Sequence, residues 1–392
     1  MSKTGIIQSL WDIMKREIKT LIHAPIYWFS MIVFPLFVIF FFSGLMNEGL
    51  PTDMPVGVVD LDNSTTSRKL LRNYDAFQQS HIVAHYPDVN QARRAMQKCE
   101  IYAFMYIPQN MERDLLASRQ PKISFYYNNS VLLAGSLIYK EMRAISTLGA
   151  ASVGSAKLQA KGLTQHQIKS VLQPIATDVH AIDNPMLNYN IALSTTIIPA
   201  CLALFILLVT AYSVGIELKN NRAKSWMRMA ENRVLIALIG KFIPQTIIFT
   251  LVVWFYQYWL FVHLNFPHNC SFWAILLIGF VLVVAAQSFT IFIFSLLPTL
   301  RMSMSICSLW GVLSFSISGF TYPVTSMAPS LQILSWLFPM RHYFMIYQMN
   351  ILHGYSLHYS WMYVVALLAF ILLPLFMLSR LKKIFYKYVY LP

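Results

Sequence analysis

The chain has 392 residues, of which 57% are hydrophobic and only 12% charged, with a mean hydropathy of +0.53. A soluble domain carries about 25% charged residues, so this composition excludes an ordinary soluble protein. The formal net charge of +14 would suit a nucleic-acid binder, but such proteins gather Lys and Arg on a polar surface. Here many of them flank long apolar windows, and no nucleic-acid partner is expected.

In chain order, residues 1–24 hold Lys15, Arg16 and Lys19 beside Ile13, Ile18 and Leu21, with Trp11 at the start of the pattern. This reads as an amphipathic helix lying on a membrane surface. The window 25–47 is long enough to cross a bilayer and lacks a small-x-small cleavage site, so it is expected to be a retained anchor. Residues 48–187 then return to a soluble balance of acidic and basic side chains.

In that segment Val56-Gly-Val-Val-Asp60 reads as a buried strand. The polar run from Asp62 to Ser67 caps a helix through Leu70 and Leu71. Strand 81–86 and a helix capped by Asp88 follow, then strand 101–107, a helix started by Pro108, and strand 123–127. Alternating strands and helices predict a small α/β domain. A helical pattern from Val131 to about Lys161, and another at 164–172, would form a stalk back to the membrane. Asp60-Leu-Asp62 resembles a metal-holding D-x-D, but capping is the favoured reading. The triplets beginning at Asn63, Asn128 and Asn269 fit a glycosylation sequon, with turn or cap chemistry preferred.

Five further windows, 188–216, 234–264, 272–298, 302–320 and 359–379, reach spanning length. The one at 302–320 is rich in Ser and Gly, which predicts close packing inside the bundle. No Asp or Glu occurs after Glu231, as expected where charge is costly in hydrocarbon. Lys and Arg cluster in 217–233, at Arg301 and in the basic tail 380–392, while the alternate short loops hold none or only Arg341. By the positive-inside rule both termini are cytoplasmic and 48–187 is extracytoplasmic. The expected fold is an α-helical membrane protein of six transmembrane helices with an inserted extracytoplasmic α/β domain.

No phosphate loop, H-E-x-x-H or G-x-S-x-G turn is present. The four cysteines lack metal-ligand spacing, and a disulfide between Cys99 and Cys270 stays open. No catalytic residue, metal ligand or cofactor site is expected on this chain. Gln245, Gln257 and Gln287 either line a pathway or bond between helices. The stretch 321–358 is too apolar for a free loop.

Two segments carry a family resemblance. One is Glu217-Leu-Lys219, the basic stretch to Met229 with Trp226, and Gly240-Lys241-Phe-Ile-Pro244. The other is Ser318-Gly-Phe-Thr-Tyr-Pro323, Met327-Ala-Pro329, Leu331-Gln332 and Phe338-Pro339. With Val58-Val-Asp60, Asn63-Ser-Thr65 and Ile107-Pro108-Gln-Asn110, the chain resembles permease subunits of ABC-2-type exporters, in the subgroup with a large outer domain. Asn221-Arg222 stands where the pattern has Gly-Thr.

The resemblance implies a homodimer, or a pair with a paralogous permease, in a bacterial inner membrane. It implies a cytoplasmic ABC ATP-binding subunit that carries ATP and Mg. The coupling segment would comprise Glu217, Lys219, Asn221, Arg222, Trp226, Met227 and Arg228, with Trp226, Met227 and Met229 placed to bury in a partner groove. Trp11, Arg16 and Lys19 would belong to the elbow helix. Gly319, Pro323, Pro329, Pro339 and Arg341 would belong to an outer gate of re-entrant helices. Cargo would be an amphipathic drug, lipid or glycan, and a periplasmic adaptor is a further partner where a second membrane exists. A receptor or scaffold with a ligand-binding outer domain is the alternative, and a membrane transferase using Asp60 and Asp62 is a third reading.

Overall fold

The computed structural model describes residues 5–47, 49–117, 119–175, 178–180, 184 and 187–388. Lys3 and the last four positions of the 380–392 tail lie outside the described residues. The chain divides into two compact units, residues 1–47 with 182–392, and residues 48–181.

The first unit opens with α1 (Ile6–His23). A first apolar helix follows, built from α2 (Pro25–Trp28) and α3 (Phe34–Leu45) joined by a π turn, Phe29–Val33.

The second unit begins with β1 (Met54–Asp60), α4 (Thr65–Asp75), β2 (Ser80–His85) and α5 (Val89–Gln97). It continues through β3 (Ala103–Ile107), α6 (Met111–Leu116), β4 (Ser124–Tyr127), α7 (Leu132–Ala160) and α8 (Gln165–Leu172). The strands form one sheet in the order β2-β1-β3-β4, with β1 parallel to both neighbours and β4 antiparallel to β3. Side chains alternate across a strand. Val56 and Val58 therefore join Leu71 and Tyr74 of α4 and Leu137, Ile138 and Met142 of α7 on one face. Val59 joins Ala92 and Ala95 of α5 on the other. Gly57 also points that way, where a Cβ would lie 2.7 Å from the Tyr86 ring.

Local caps account for the helix starts. Ser64 accepts the Ser67 amide at 3.0 Å, Asp88 accepts the Gln91 amide at 2.8 Å, and Thr164 with Gln167 forms a capping box. Asp60 Oδ1 accepts the amides of Asp62 and Asn63, and its Oδ2 accepts the Ser67 hydroxyl. Asp62 accepts the Glu112 amide at 3.2 Å. These carboxylates are occupied in turn and cap chemistry, as the capping reading holds. One start differs. The helix expected from Pro108 begins at Met111, because Asn110 takes a left-handed φ of 63° and interrupts the helical path.

The first unit resumes with α9 (Tyr189–Lys219), α10 (Ala223–Met229), α11 (Val234–Tyr258, prolonged by a π turn to His263) and α12 (Phe272–Leu296). It ends with α13 (Leu300–Ile317), α14 (Pro329–Ser335), α15 (Pro339–Ile346), α16 (Trp361–Phe376) and α17 (Leu378–Lys387). Among the described residues five helices are long and apolar enough to cross a membrane: Pro25–Leu45, Tyr189–Lys219, Val234–His263, Phe272–Leu296 and Leu300–Ile317. α16 and α17 make a sixth candidate if they count as one span, bent by 45°.

α9 is the hub. Ile198 and Ile206 pack in one core with Tyr256 of α11 and Leu282 and Val283 of α12. Glycine lets α13 lie close to it: a Cβ at Gly215 would meet Leu300 Cδ1 at 2.5 Å, and one at Gly311 would meet Leu204 Cδ1 at 2.5 Å. The expectation that α13 lies inside the bundle needs correction. Its small residues Ser303, Cys307, Gly311 and Ser314 form a single buried stripe, while Leu309, Val312 and Leu313 are exposed. One stripe can bury only one face.

Residues 378–387 form an amphipathic helix that buries Leu381, Ile384 and Phe385 and exposes Arg380, Lys382, Lys383 and Lys387.

Candidate functional site

At one end of the first unit, α1, α9 and α11 bring ionic groups into the interior. The buried face of α1 is Ser9, Ile13, Glu17 and Leu21, a ridge with a spacing of four. Glu17 therefore enters the core with Ile13 and Leu21 and is 2% exposed. Lys241, in the second turn of α11 and 1% exposed, sets its Nζ 2.7 Å from Glu17 Oε2 and 3.1 Å from Glu217 Oε1. Arg16 Nη2 donates to both oxygens of Glu217, at 2.6 and 2.5 Å. Gln245 Nε2 donates to Glu17 Oε1 and to Ser213 Oγ, both at 2.7 Å.

Two cations thus face two carboxylates, and the formal charge closes to zero. Isolated buried charge is strongly unfavourable, and a buried pair persists only with such close partners. The cluster ties α1 to both α9 and α11. Close backbone contact supports it, since a Cβ at Gly240 would lie 3.0 Å from Ile13 Cβ.

α10 is fastened to the same knot. Trp226 is fully buried, its ring 5.3 Å from Lys241 Nζ and 5.1 Å from the Phe385 ring of α17. Met227 is also fully buried, in one cluster with Ile13, Leu238 and Leu381. The expectation that Trp226 and Met227 wait for a partner groove is therefore corrected: this chain covers them itself. Met229, named with them, is half-buried against the same cluster. The exposed residues of 217–228 are Lys219, Asn220, Asn221, Arg222, Lys224, Ser225 and Arg228. Glu217 is buried in the ion cluster.

The turn between α9 and α10 is a Schellman turn. Arg222 N–H bonds Glu217 O at 2.8 Å and Asn221 N–H bonds Leu218 O at 3.1 Å, with Asn221 at φ 55°. Asparagine tolerates this left-handed conformation better than most residues. That is the physical reason it can stand where the expected pattern has glycine.

On α1, Trp11 and Lys19 are exposed, and Lys15 Nζ lies 5.4 Å from the Trp11 ring centre. Arg16 turns inward to Glu217 rather than outward with them. Glu17 and Lys241 are a buried pair that the sequence reading did not bring together. The four-residue spacing of Glu17 from Ile13 and Leu21 was the available signal.

The three glutamines bond between helices. Gln245 joins the cluster, Gln287 accepts from Thr246 at 2.6 Å, and Gln257 donates to Ile275 O at 2.8 Å.

A second site lies beyond the other end of α13. α14 has seven residues, and α15 has eight and is prolonged by a π turn of six, Tyr347–Leu352, about 21 Å at most, too short to cross a bilayer. Pro329 and Pro339 stand in the first turns of these helices, and Pro323 precedes the 3-10 turn Val324–Ser326. Gly319 takes φ 100°, and a Cβ there would lie 3.1 Å from Val324 and 3.8 Å from Arg341 Nη1. Arg341 is 7% exposed, with its Cζ 6.0 Å from the Trp336 ring centre. Its Nε and Nη1 have no hydrogen-bond partner among the described residues.

Cys99 and Cys270 are both free thiols, and burial pushes the Cys270 thiol up from its ordinary pKa. Among the described residues no group of His, Cys, Asp and Glu is placed to hold a metal.

A model of the family described as ABC-2 family transporter protein matches residues 25–380 of the chain. The chain belongs to that family. No curated protein matches it.

Proposed function

We propose that this ABC-2 family member is the membrane permease subunit of an ATP-driven exporter of amphipathic or lipid-like molecules. The observation that carries the reading is the ionic joint of Arg16, Glu17, Glu217 and Lys241. It links the surface helix α1, the apolar helices α9 and α11 and, through Trp226, the short helix α10. A load applied to α10 reaches two membrane helices through close-packed and charge-paired contacts rather than through a flexible loop.

The outward residues Arg222, Lys224 and Arg228 offer a basic face to a cytoplasmic ABC subunit holding ATP and Mg. Trp11 and Lys19 of α1 would lie on the same surface. In this reading the termini are cytoplasmic, residues 48–187 are extracytoplasmic, and the membrane is the bacterial inner membrane. The exposed apolar faces of α3 and α13 suit a second copy or a paralogous permease. The segment from Gly319 to Arg341 forms the outer gate. An adaptor would meet the extracytoplasmic segment where a second membrane exists.

The test is a pull-down of the tagged protein from a mild detergent, with co-purifying ATP hydrolysis assayed. A stoichiometric ATPase is expected, and Arg222→Glu/Lys224→Glu/Arg228→Glu should release it. A chain that purifies without any ATPase, from a preparation that preserves complexes, would remove the permease reading.

A further inference from the structure

The membrane unit treats its buried cations unequally. Lys241 and Arg16 are matched by Glu17 and Glu217, whereas Arg341 is buried with Nε and Nη1 unpaired among the described residues. No Asp or Glu follows Glu231, and among the described residues no carboxylate pairs with Nε or Nη1. The ion cluster cannot supply a counter-charge. Gly215, two residues before Glu217, packs on Leu300 at the start of α13, while Arg341 lies beside Gly319 just past its end. The 18 residues of α13 separate these places by about 27 Å. Two guanidinium nitrogens out of water without a partner are unfavourable. They call for an anion from outside the helical unit.

The surroundings say what kind of anion. Trp336, whose ring faces Arg341, also lines an apolar cleft of about 490 Å³ with Phe289, Trp310, Leu337 and Phe370. His342 ties the two places together, its ring 5.2 Å from Trp336 and 5.8 Å from Phe370. Charge and grease therefore share one wall. Clefts of this size hold a small ligand, with apolar lining supplying affinity and one polar group fixing orientation.

We propose that Arg341 and this cleft form a binding site for an amphipathic anion drawn from the bilayer. Its carboxylate or phosphate head meets the guanidinium, and its apolar body lies between α12, α13 and α16. Bidentate pairing of Arg with such heads is the strong form of this contact. The step from bound ligand to exported cargo rests on the exporter reading; the binding itself does not.

The test uses the full chain in nanodiscs of zwitterionic lipid, without any ATPase. The probe is 9,10-dibromostearate at alkaline pH, read by quenching of tryptophan fluorescence, against its uncharged methyl ester. The acid is expected to give a saturable component at least tenfold tighter than the ester. That preference should vanish in Arg341→Gln and persist in part in Arg341→Lys. Trp336→Phe should lower the saturable amplitude.

Thermal unfolding without ligand gives a second readout. Arg341→Gln should melt at or above the wild-type temperature, since it removes an unpaired buried charge. Equal binding of acid and ester, an unchanged preference in Arg341→Gln, or a marked drop in its melting temperature would each overturn the proposal. Complete displacement by inorganic phosphate would overturn the amphipath, leaving a simple anion site. Because no ATPase enters this assay, its failure and the failure of the pull-down are separate results.

Discussion

Lys241→Met is the sharpest perturbation of the ionic joint. The side chain is 1% exposed and sits 2.7 Å from Glu17 and 3.1 Å from Glu217. Charges about 3 Å apart attract by about 5 kcal/mol at an effective dielectric of 20, most of it offset by their desolvation. Removing only the cation leaves Arg16 against two buried carboxylates, and breaking such a pair costs about 3–5 kcal/mol. Glu17→Gln leaves the opposite excess, two cations against Glu217, with a penalty of similar size. The double variant keeps only the neutral Arg16–Glu217 pair, so the two penalties should largely cancel.

Unfolding followed by tryptophan emission is the assay, and Trp226, 5.3 Å from Lys241, reports on the joint directly. With the scaling of soluble domains, 3 kcal/mol corresponds to about 6–12 °C. Each single variant should fall by that order, and the double variant should recover more than half. Strictly additive losses, with no recovery, would refute the pairing and with it the mechanical joint. Under the exporter proposal the same variants should also raise ATP hydrolysis per molecule transported, because the joint is loosened.

Other outcomes follow from the same contacts. Trp226→Ala, at a fully buried position, should cost about 3–5 kcal/mol, while Arg222→Glu/Lys224→Glu/Arg228→Glu should leave the melting temperature unchanged and act only on ATPase retention. Gly215→Ala places a Cβ 2.5 Å from Leu300 Cδ1 and 3.1 Å from its Cα; a loss of about 1–3 kcal/mol is expected, with partial rescue by Leu300→Ala in a thermal melt. In the second unit, hydroxyls of Thr66 and Thr65 hold the Glu112 carboxyl below its usual pKa of 4.5. A depressed folded pKa stabilises above the unfolded value and is lost as pH falls through the folded one. The protection of amides at 61–70 against hydrogen exchange, relative to their intrinsic rate at each pH, should therefore fall below about pH 4.5, and Glu112→Gln should flatten that dependence.

Length and hydropathy were enough to locate the apolar helices, because a bilayer demands about 20 residues without charge. The helix expected at 188–216 runs Tyr189–Lys219, and the one at 272–298 runs Phe272–Leu296. The strands of the second unit were legible for a similar reason. Val56, Val58 and Val59 serve two core faces at once, and caps such as Asp88 announce the helices between strands.

What escaped were choices that only tertiary structure makes. Trp226 in a basic segment is the same string of letters whether a partner covers it or α17 does, and α17 lies far along the chain. Lys241 near the start of an apolar window looks like a surface anchor until Glu17 and Glu217 are known to converge on it. The bend after Phe376 was hidden because hydropathy does not register direction. Asn110 broke a helix start because one left-handed residue outweighs a favourable proline.

The order in which the ionic joint is synthesised has its own consequence. Chains emerge N-terminus first, so Arg16, Glu17 and Glu217 are all made before Lys241. The cation that burdens the apolar stretch Val234–His263 is the last member of the cluster to arrive. Its neutralising partners are already in place when that helix must leave the insertion machinery, where a lysine weighs against entry into lipid. Deleting α1 removes Glu17, the nearer of the two carboxylates that neutralise Lys241. Such a chain keeps Glu217 as the only carboxylate for Lys241 and should insert the third apolar helix less completely, and a glycosylation-mapping assay on the nascent protein would register this before any transport could be measured.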